Sequence, residues 1–117
     1  MKEPFSLKDI KVYQESLQSV KDIIQLCNNP SLKKEYWLCD QIKRASISVC
    51  INIAEGYGRK TNKDFGQFLS ISLGSCNEVL ALIDVIKLIY PDIDTDILTQ
   101  RYRLLSKRIY SFRRNLR

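Results

Sequence analysis

The sequence predicts an all-α protein, an antiparallel up-down-up-down four-helix bundle occupying residues 1–117 as one domain. Three observations lead there. Apolar residues recur at alternating steps of three and four in four separate segments, the spacing that lines one face of a helix. Breakers at Asn28-Asn29-Pro30, Gly56-Tyr57-Gly58 and Pro91 divide those segments by links short enough to make neighbours antiparallel. The one strand-like stretch, in which Ile47, Val49, Ile51 and Ile53 alternate with Ser46, Ser48, Cys50 and Asn52, has no second strand to pair with, and a lone strand is not stable.

The first helix is expected from near Ser6, where Ser6-Leu7-Lys8-Asp9 has the form of a capping box. Its seam is Ile10, Tyr13, Leu17, Val20, Ile24 and Cys27. The second runs from Trp37 to the glycine break. On its wheel Gln41, Arg44, Ser48, Asn52, Glu55 and Arg59 form one polar stripe, flanked by Leu38, Ile42, Ala45, Val49 and Ile53 on one side and by Ile47, Ile51 and Ala54 on the other. A surface helix normally solvates one face. This one carries no charge from Ala45 to Ala54, so it is expected to be buried nearly all round. Its polar stripe then becomes an internal network, because an unpaired buried polar group costs about 1–3 kcal/mol. A small bundle has one core, so the second apolar side is expected to pack on another subunit, making the protein a homo-oligomer.

Thr61-Asn62-Lys63-Asp64 is a second capping signature and opens a third helix to about Tyr90, with Phe65, Phe68, Ser72, Ser75, Val79, Leu82, Ile86 and Ile89 as its seam. Its small residues Ser70, Ser72, Gly74, Ser75 and Cys76 allow a neighbouring helix to come close. Asp92, Asp94 and Asp96 then place negative charge at the start of a fourth helix, where the helix dipole favours it. Leu98, Tyr102, Leu105, Ile109, Phe112 and Leu116 are its inner face.

A chain of 117 residues, 44% apolar and 27% charged, has the balance of a soluble domain with a substantial core. No apolar run follows Met1-Lys2-Glu3-Pro4-Phe5, so no secretory leader is expected. The longest uncharged stretch, Phe65 to Asn77, is short of the roughly 20 residues that span a bilayer, and no membrane partner is expected. Cys27, Cys39, Cys50 and Cys76 lack CxxC spacing and lie in apolar helical patterns, which predicts buried thiols in the cytoplasm over a disulfide framework.

The formal charge of +6 is concentrated at one end. Residues 1–99 hold 12 Lys/Arg against 13 Asp/Glu; residues 100–117 hold seven Lys/Arg and no acid. These are Arg101, Arg103, Lys107, Arg108, Arg113, Arg114 and Arg117. Arg103, Lys107, Arg114 and Arg117 share the face opposite the apolar stripe, with Arg101 and Arg108 to the side. A solvated outer face is one account of such a helix. Seven cations without an interspersed acid favour the other, an electrostatic footprint for RNA or DNA read through phosphates and shape.

Chemistry has little to work with. The chain has no histidine, hence no imidazole to activate a serine or cysteine and no histidine metal ligand. Cysteine-only zinc would need paired short spacings, which are missing. Gly56-Tyr57-Gly58-Arg59-Lys60-Thr61 lacks phosphate-loop spacing and follows a helix in place of a strand. Glu55 and Glu78 could pair, but no Glu-x-x-His motif accompanies them. No catalytic residue, metal or cofactor is expected.

Gln41-Ile42-Lys43-Arg44-Ala45-Ser46-Ile47-Ser48-Val49, followed by Asn52-Ile53-Ala54-Glu55-Gly56 and Gly58-Arg59, strongly resembles the signature of the four-helix-bundle proteins encoded in 23S rRNA intervening sequences. The likeness continues through Asp64-Phe65, Phe68-Leu69 and Gly74-Ser75-Cys76-Asn77-Glu78-Val79, and includes Leu7, Val12-Tyr13, Tyr36 and Leu38. That family is similar in fold to the accessory variability determinant of diversity-generating retroelements, a barrel-like homopentamer with a basic surface that binds nucleic acid and a reverse transcriptase. The resemblance implies a cytoplasmic bacterial homopentamer, with RNA or DNA and a reverse transcriptase or other nucleic-acid enzyme as partners. It implies no catalytic residue.

Overall fold

The structure, a computed structural model, describes residues 6–116. Its helices are α1 (Lys11–Cys27), α2 (Tyr36–Tyr57), α3 (Asn62–Ile89) and α4 (Asp96–Arg114), with single 3-10 turns at Leu7–Asp9 and Leu32–Lys34 and no strand among the described residues. Cross-helix contacts give the directions. Gln41 meets Glu78 and Ser48 meets Ser75, so α2 and α3 run antiparallel. Glu15 meets Arg108 and Asp22 meets Arg101, so α1 and α4 do too. Helix α4 also packs along α3, closing a rod of 51 × 25 × 22 Å.

The core runs the length of the rod, from Leu32, Leu38 and Ile86 at one end to Phe65, Ile53 and Ile109 at the other. Phe65 stacks edge-on against both Tyr57 and Phe112, tying α2, α3 and α4 together at that end. All four cysteines are free and buried, as their apolar settings predict. Helix α3 is long and apolar enough to cross a membrane, yet Leu69, Cys76, Val79, Ile83 and Ile86 pack into this core.

The α4 inner face and the apolar set Leu38, Ile42, Ala45, Val49 and Ile53 of α2 lie where the periodicity puts them. Two seams differ. In α1 the buried positions are Val12, Ser16, Ser19, Ile23 and Cys27, while Leu17 and Ile24 are exposed. Two serines replace apolar residues at the helix contact because their hydroxyls donate to the carbonyls of Tyr13 and Glu15 in their own helix. In α3 the seam widens to include Leu69, Cys76 and Ile83, while Leu82 is half-buried and Ile89 exposed, because this helix packs against α2 and α4 together.

The helix starts differ too. Asp9 accepts from the Ser6 backbone N–H at 2.7 Å, but the chain turns extended at Ile10 before α1 begins. Gly56 is not a break. It lies inside α2, where a Cβ would come within 2.7 Å of Phe65 Cδ1 and 2.9 Å of Phe68 Cβ, so glycine lets the start of α3 close onto α2. Of the three aspartates before α4 only Asp96 lies in its first turn, and Asp94 accepts from the Asp96 N–H at 3.1 Å.

Candidate nucleic-acid interface

Helix α4 divides its cations by direction. Toward α1, Arg101 donates to Asp22 at 2.5 Å and Arg108 to Glu15. Both acids are more covered than the guanidiniums they hold, so these pairs close the seam between α1 and α4. Arg103, Lys107 and Arg114 point away from the core, exposed and without a partner among the described residues. Arg113 turns toward α3, where Nη1 donates to Ser70 Oγ at 2.6 Å and the guanidinium carbon lies 6.0 Å from the centroid of the Tyr110 ring. Arg117 lies outside the described residues.

The charge of the segment therefore groups residues that the fold separates. Arg101 and Arg108 are neutralised by acids far away in the chain, whereas Arg103, Lys107, Arg113 and Arg114 face solvent or α3. The antiparallel course of α3 also brings in a residue the periodicity cannot reach. Lys63, in the first turn of α3, lines a shallow groove of about 460 Å³ with Arg113, Arg114, Tyr110, Gln67 and Ser70. A second groove of about 530 Å³ continues along the same seam past Lys107, Ser106 and Asn77. Tyr110 lines both, and no acidic side chain among the described residues lines either. Backbone direction, once α3 and α4 are known to be antiparallel neighbours, is the signal that adds Lys63 to the site, whereas Tyr110 stands three residues after Lys107 and four before Arg114, on the cation stripe that helical periodicity already marks.

The polar stripe of α2 is found at the outer edge of its contact with α3, not in the interior. Gln41 Nε2 donates to Glu78 Oε2 at 2.7 Å, the Ser48 and Ser75 hydroxyls are 2.8 Å apart, and Asn52 Nδ2 donates to the Ser48 carbonyl at 2.8 Å. Ser72 Oγ crosses deeper, to the Val49 carbonyl, at 2.8 Å. Within a single chain the charged members are not buried. Arg44 is exposed, and Glu55 pairs with Arg59 at 3.3 Å with both side chains about half exposed. Arg59 also lies 4.6 Å from the centroid of the Phe68 ring. The cause is the single core of one chain: α2 buries one apolar side and leaves Ile47 and Ile51 in solvent.

Buried groups are held in their neutral forms. Burial pushes the Cys76 thiol up to about 12. Cys27 rises to about 12 through burial and the neighbouring Cys39, and burial raises the Tyr102 phenol as well. These groups lie in the core, away from the grooves. No set of three or more cysteine or carboxylate groups suited to a metal ion occurs among the described residues.

Comparison with known proteins agrees with the fold. The sequence profile described as 23S rRNA-intervening sequence protein matches residues 8–111. A solved structure from Bacteroides thetaiotaomicron VPI-5482, described as a protein with unknown function from the S23 ribosomal protein family, superposes with a TM-score of 0.77. It is 22% identical, and the match covers 86% of this chain and 96% of that one, a likeness that speaks to the fold alone. No curated protein shows significant similarity to the chain.

Proposed function

The chain belongs to the 23S rRNA-intervening sequence protein family, and we propose that it is a non-enzymatic, cytoplasmic accessory protein that self-associates and binds RNA or DNA through its basic surface without sequence preference. One observation carries the binding half of this reading. Arg103, Lys107 and Arg114 line the outer side of one helix with no acid among the described residues to neutralise them, Arg113 carries that surface to the edge of the helix, and Lys63 extends it onto α3. Such a surface attracts phosphates and releases counterions on binding.

Self-association rests on α2 and α3. Ile47 and Ile51 share the side of α2 that carries Ser48, Ile71 shares the side of α3 that carries Ser75, and all three isoleucines are exposed. Gly74 lies on the same helix, where a Cβ would meet nothing within 4 Å. Mid-helix glycine costs about 1 kcal/mol against alanine, and no close approach among the described residues requires it. Close approach of a second copy accounts for both features. A homopentamer is the assembly that the family resemblance implies, and repetition of the cations around a ring would multiply a modest attraction per subunit.

A different region favours the runner-up, a structural or protein-interaction scaffold without nucleic-acid affinity. Tyr36, Trp37 and Leu88 are strongly exposed where α2 begins and α3 ends, an apolar end suited to a protein partner such as a reverse transcriptase. Replacing Arg103, Lys107, Arg114 and Arg117 with glutamine separates the two. The accessory-protein reading expects weaker binding to every nucleic acid in a low-salt titration, with the oligomer intact by light scattering. Equal binding by parent and variant promotes the scaffold.

A further inference from the structure

We infer that the seam between the start of α3 and the end of α4 is a site for an unpaired nucleic-acid strand, with one base stacked on Tyr110 and the flanking phosphates on Lys107 to one side and on Lys63, Arg113 and Arg114 to the other. This rests on the nucleic-acid reading above and narrows it from any phosphate backbone to a single strand.

Tyr110 is the centre of the site. The residue is 50% exposed on the part of α4 that otherwise presents cations, and both seam grooves meet at it. Aromatic rings on a cationic track are how proteins hold single strands, because every base has a π-face to stack. A duplex keeps its base faces against one another and offers this ring nothing. The neighbouring cation is already positioned: Ser70 fixes Arg113 at 2.6 Å, close to the ring but leaving half of the tyrosine's surface uncovered.

The walls suit the same ligand. The Gln67 amide lines the groove with a donor and an acceptor for a base edge. Gly66 leaves space there, since a Cβ at this position would meet only Arg113 Cγ, at 3.8 Å. From Lys107 to Arg114 the helix rises about 10 Å, the length of about three stacked nucleotides at 3.4 Å each. Among the described residues no acid lines either groove, in contrast to the one between α1 and α4, which Glu15 and Asp22 line.

Fluorescence anisotropy of the full chain with a short labelled oligothymidylate and with a duplex of equal charge tests the site. Tyr110→Ala is expected to weaken oligothymidylate binding between about 5-fold and 150-fold, the worth of one stacked base, and to leave duplex binding unchanged. Tyr110→Phe keeps the parent affinity. Gly66→Leu, which fills the groove without changing charge, lowers oligothymidylate binding and spares the duplex. Circular dichroism checks that each variant remains helical. Equal binding of oligothymidylate by parent and Tyr110→Ala, or equal losses on both probes, overturns the stacking site. The variant with Arg103, Lys107 and Arg114 all changed to glutamine separates the two levels. If it binds both probes like the parent, the nucleic-acid reading itself fails; if it weakens both while Tyr110→Ala weakens neither, only the single-strand site fails.

Discussion

The two edges of α4 carry the same side chains and do different work. On the α1 edge, Arg101 and Arg108 are held by Asp22 and Glu15, and their charge is absorbed in joining two helices. On the outer side and the α3 edge, Arg103, Lys107 and Arg114 have no carboxylate partner among the described residues, and Arg113 is held by a neutral hydroxyl that leaves its charge intact. An arginine's role here is set by what the neighbouring helix brings opposite it. Helix α1 brings acids, whereas the first half of α3 brings Lys63, Gly66, Gln67 and Ser70. Net charge per segment, the quantity visible in the chain, counts all these arginines alike.

The largest expected effect removes the framework that both edges share. The Cys76 proton, and with it those of Cys27 and Tyr102, is held more tightly in the folded chain than in the unfolded one. Stability is therefore full below the ordinary thiol value of 9.0 and falls as pH rises toward about 12. For Cys76, whose shift comes from burial alone, the loss is on the order of 1.4 kcal/mol per pH unit. Chemical denaturation at stepped alkaline pH checks it, and a flat profile would show that these groups ionise without unfolding.

A smaller disturbance acts mainly on the α3 edge. Gly56→Val places side-chain atoms against Phe65 and Phe68, which hold the start of α3 on α2. Overpacking of this kind costs about 1–3 kcal/mol, readable as a lowered melting temperature. It should shift the wall that carries Lys63 and Gly66 while leaving the Arg101–Asp22 pair in place. Weaker nucleic-acid binding at temperatures where the variant is fully folded would sharpen the contrast between the edges.

Neutralising an acid on the α1 edge should erase that contrast in the opposite direction. Glu15→Gln frees Arg108, at a stability cost of about 1 kcal/mol or less for a pair this open to solvent. It adds a free cation to α4, so nucleic-acid affinity should rise at low salt. The smallest effect belongs to α2. Glu55→Gln removes an exposed pair with Arg59 and should cost about 0.5 kcal/mol or less in the isolated chain. A loss of several kcal/mol would mean that the α2 stripe is buried in the assembly.

Helix identity was legible throughout because the 3.6-residue period survives in every segment, and Asn28, Pro30, Gly58 and Pro91 stand in the links between helices. The α4 inner face was read correctly because that helix alternates core and cation so sharply. The α1 seam was misread because Ser16 and Ser19 bury their hydroxyls against their own helix, which no count of apolar residues registers. Gly56 reads as a helix breaker because glycine's two uses, freedom of φ and lack of a Cβ, look identical in a sequence; only its distance to Phe65 separates them. The pairing of Arg101 and Arg108 was out of reach for a simpler reason: their partners lie 79 and 93 residues earlier.

Salt dependence, measured on matched variants of the two edges, tests the division most directly. Log affinity for duplex DNA falls linearly with log salt, by about 0.9 for each phosphate contact. Replacing Arg103, Lys107 and Arg114 with glutamine should make that slope shallower by about 2.7 if all three touch phosphate. Replacing Arg101 and Arg108 should leave it unchanged, since Asp22 and Glu15 already neutralise them. Equal changes in the two variants, or a larger one from the α1 edge, would contradict the account.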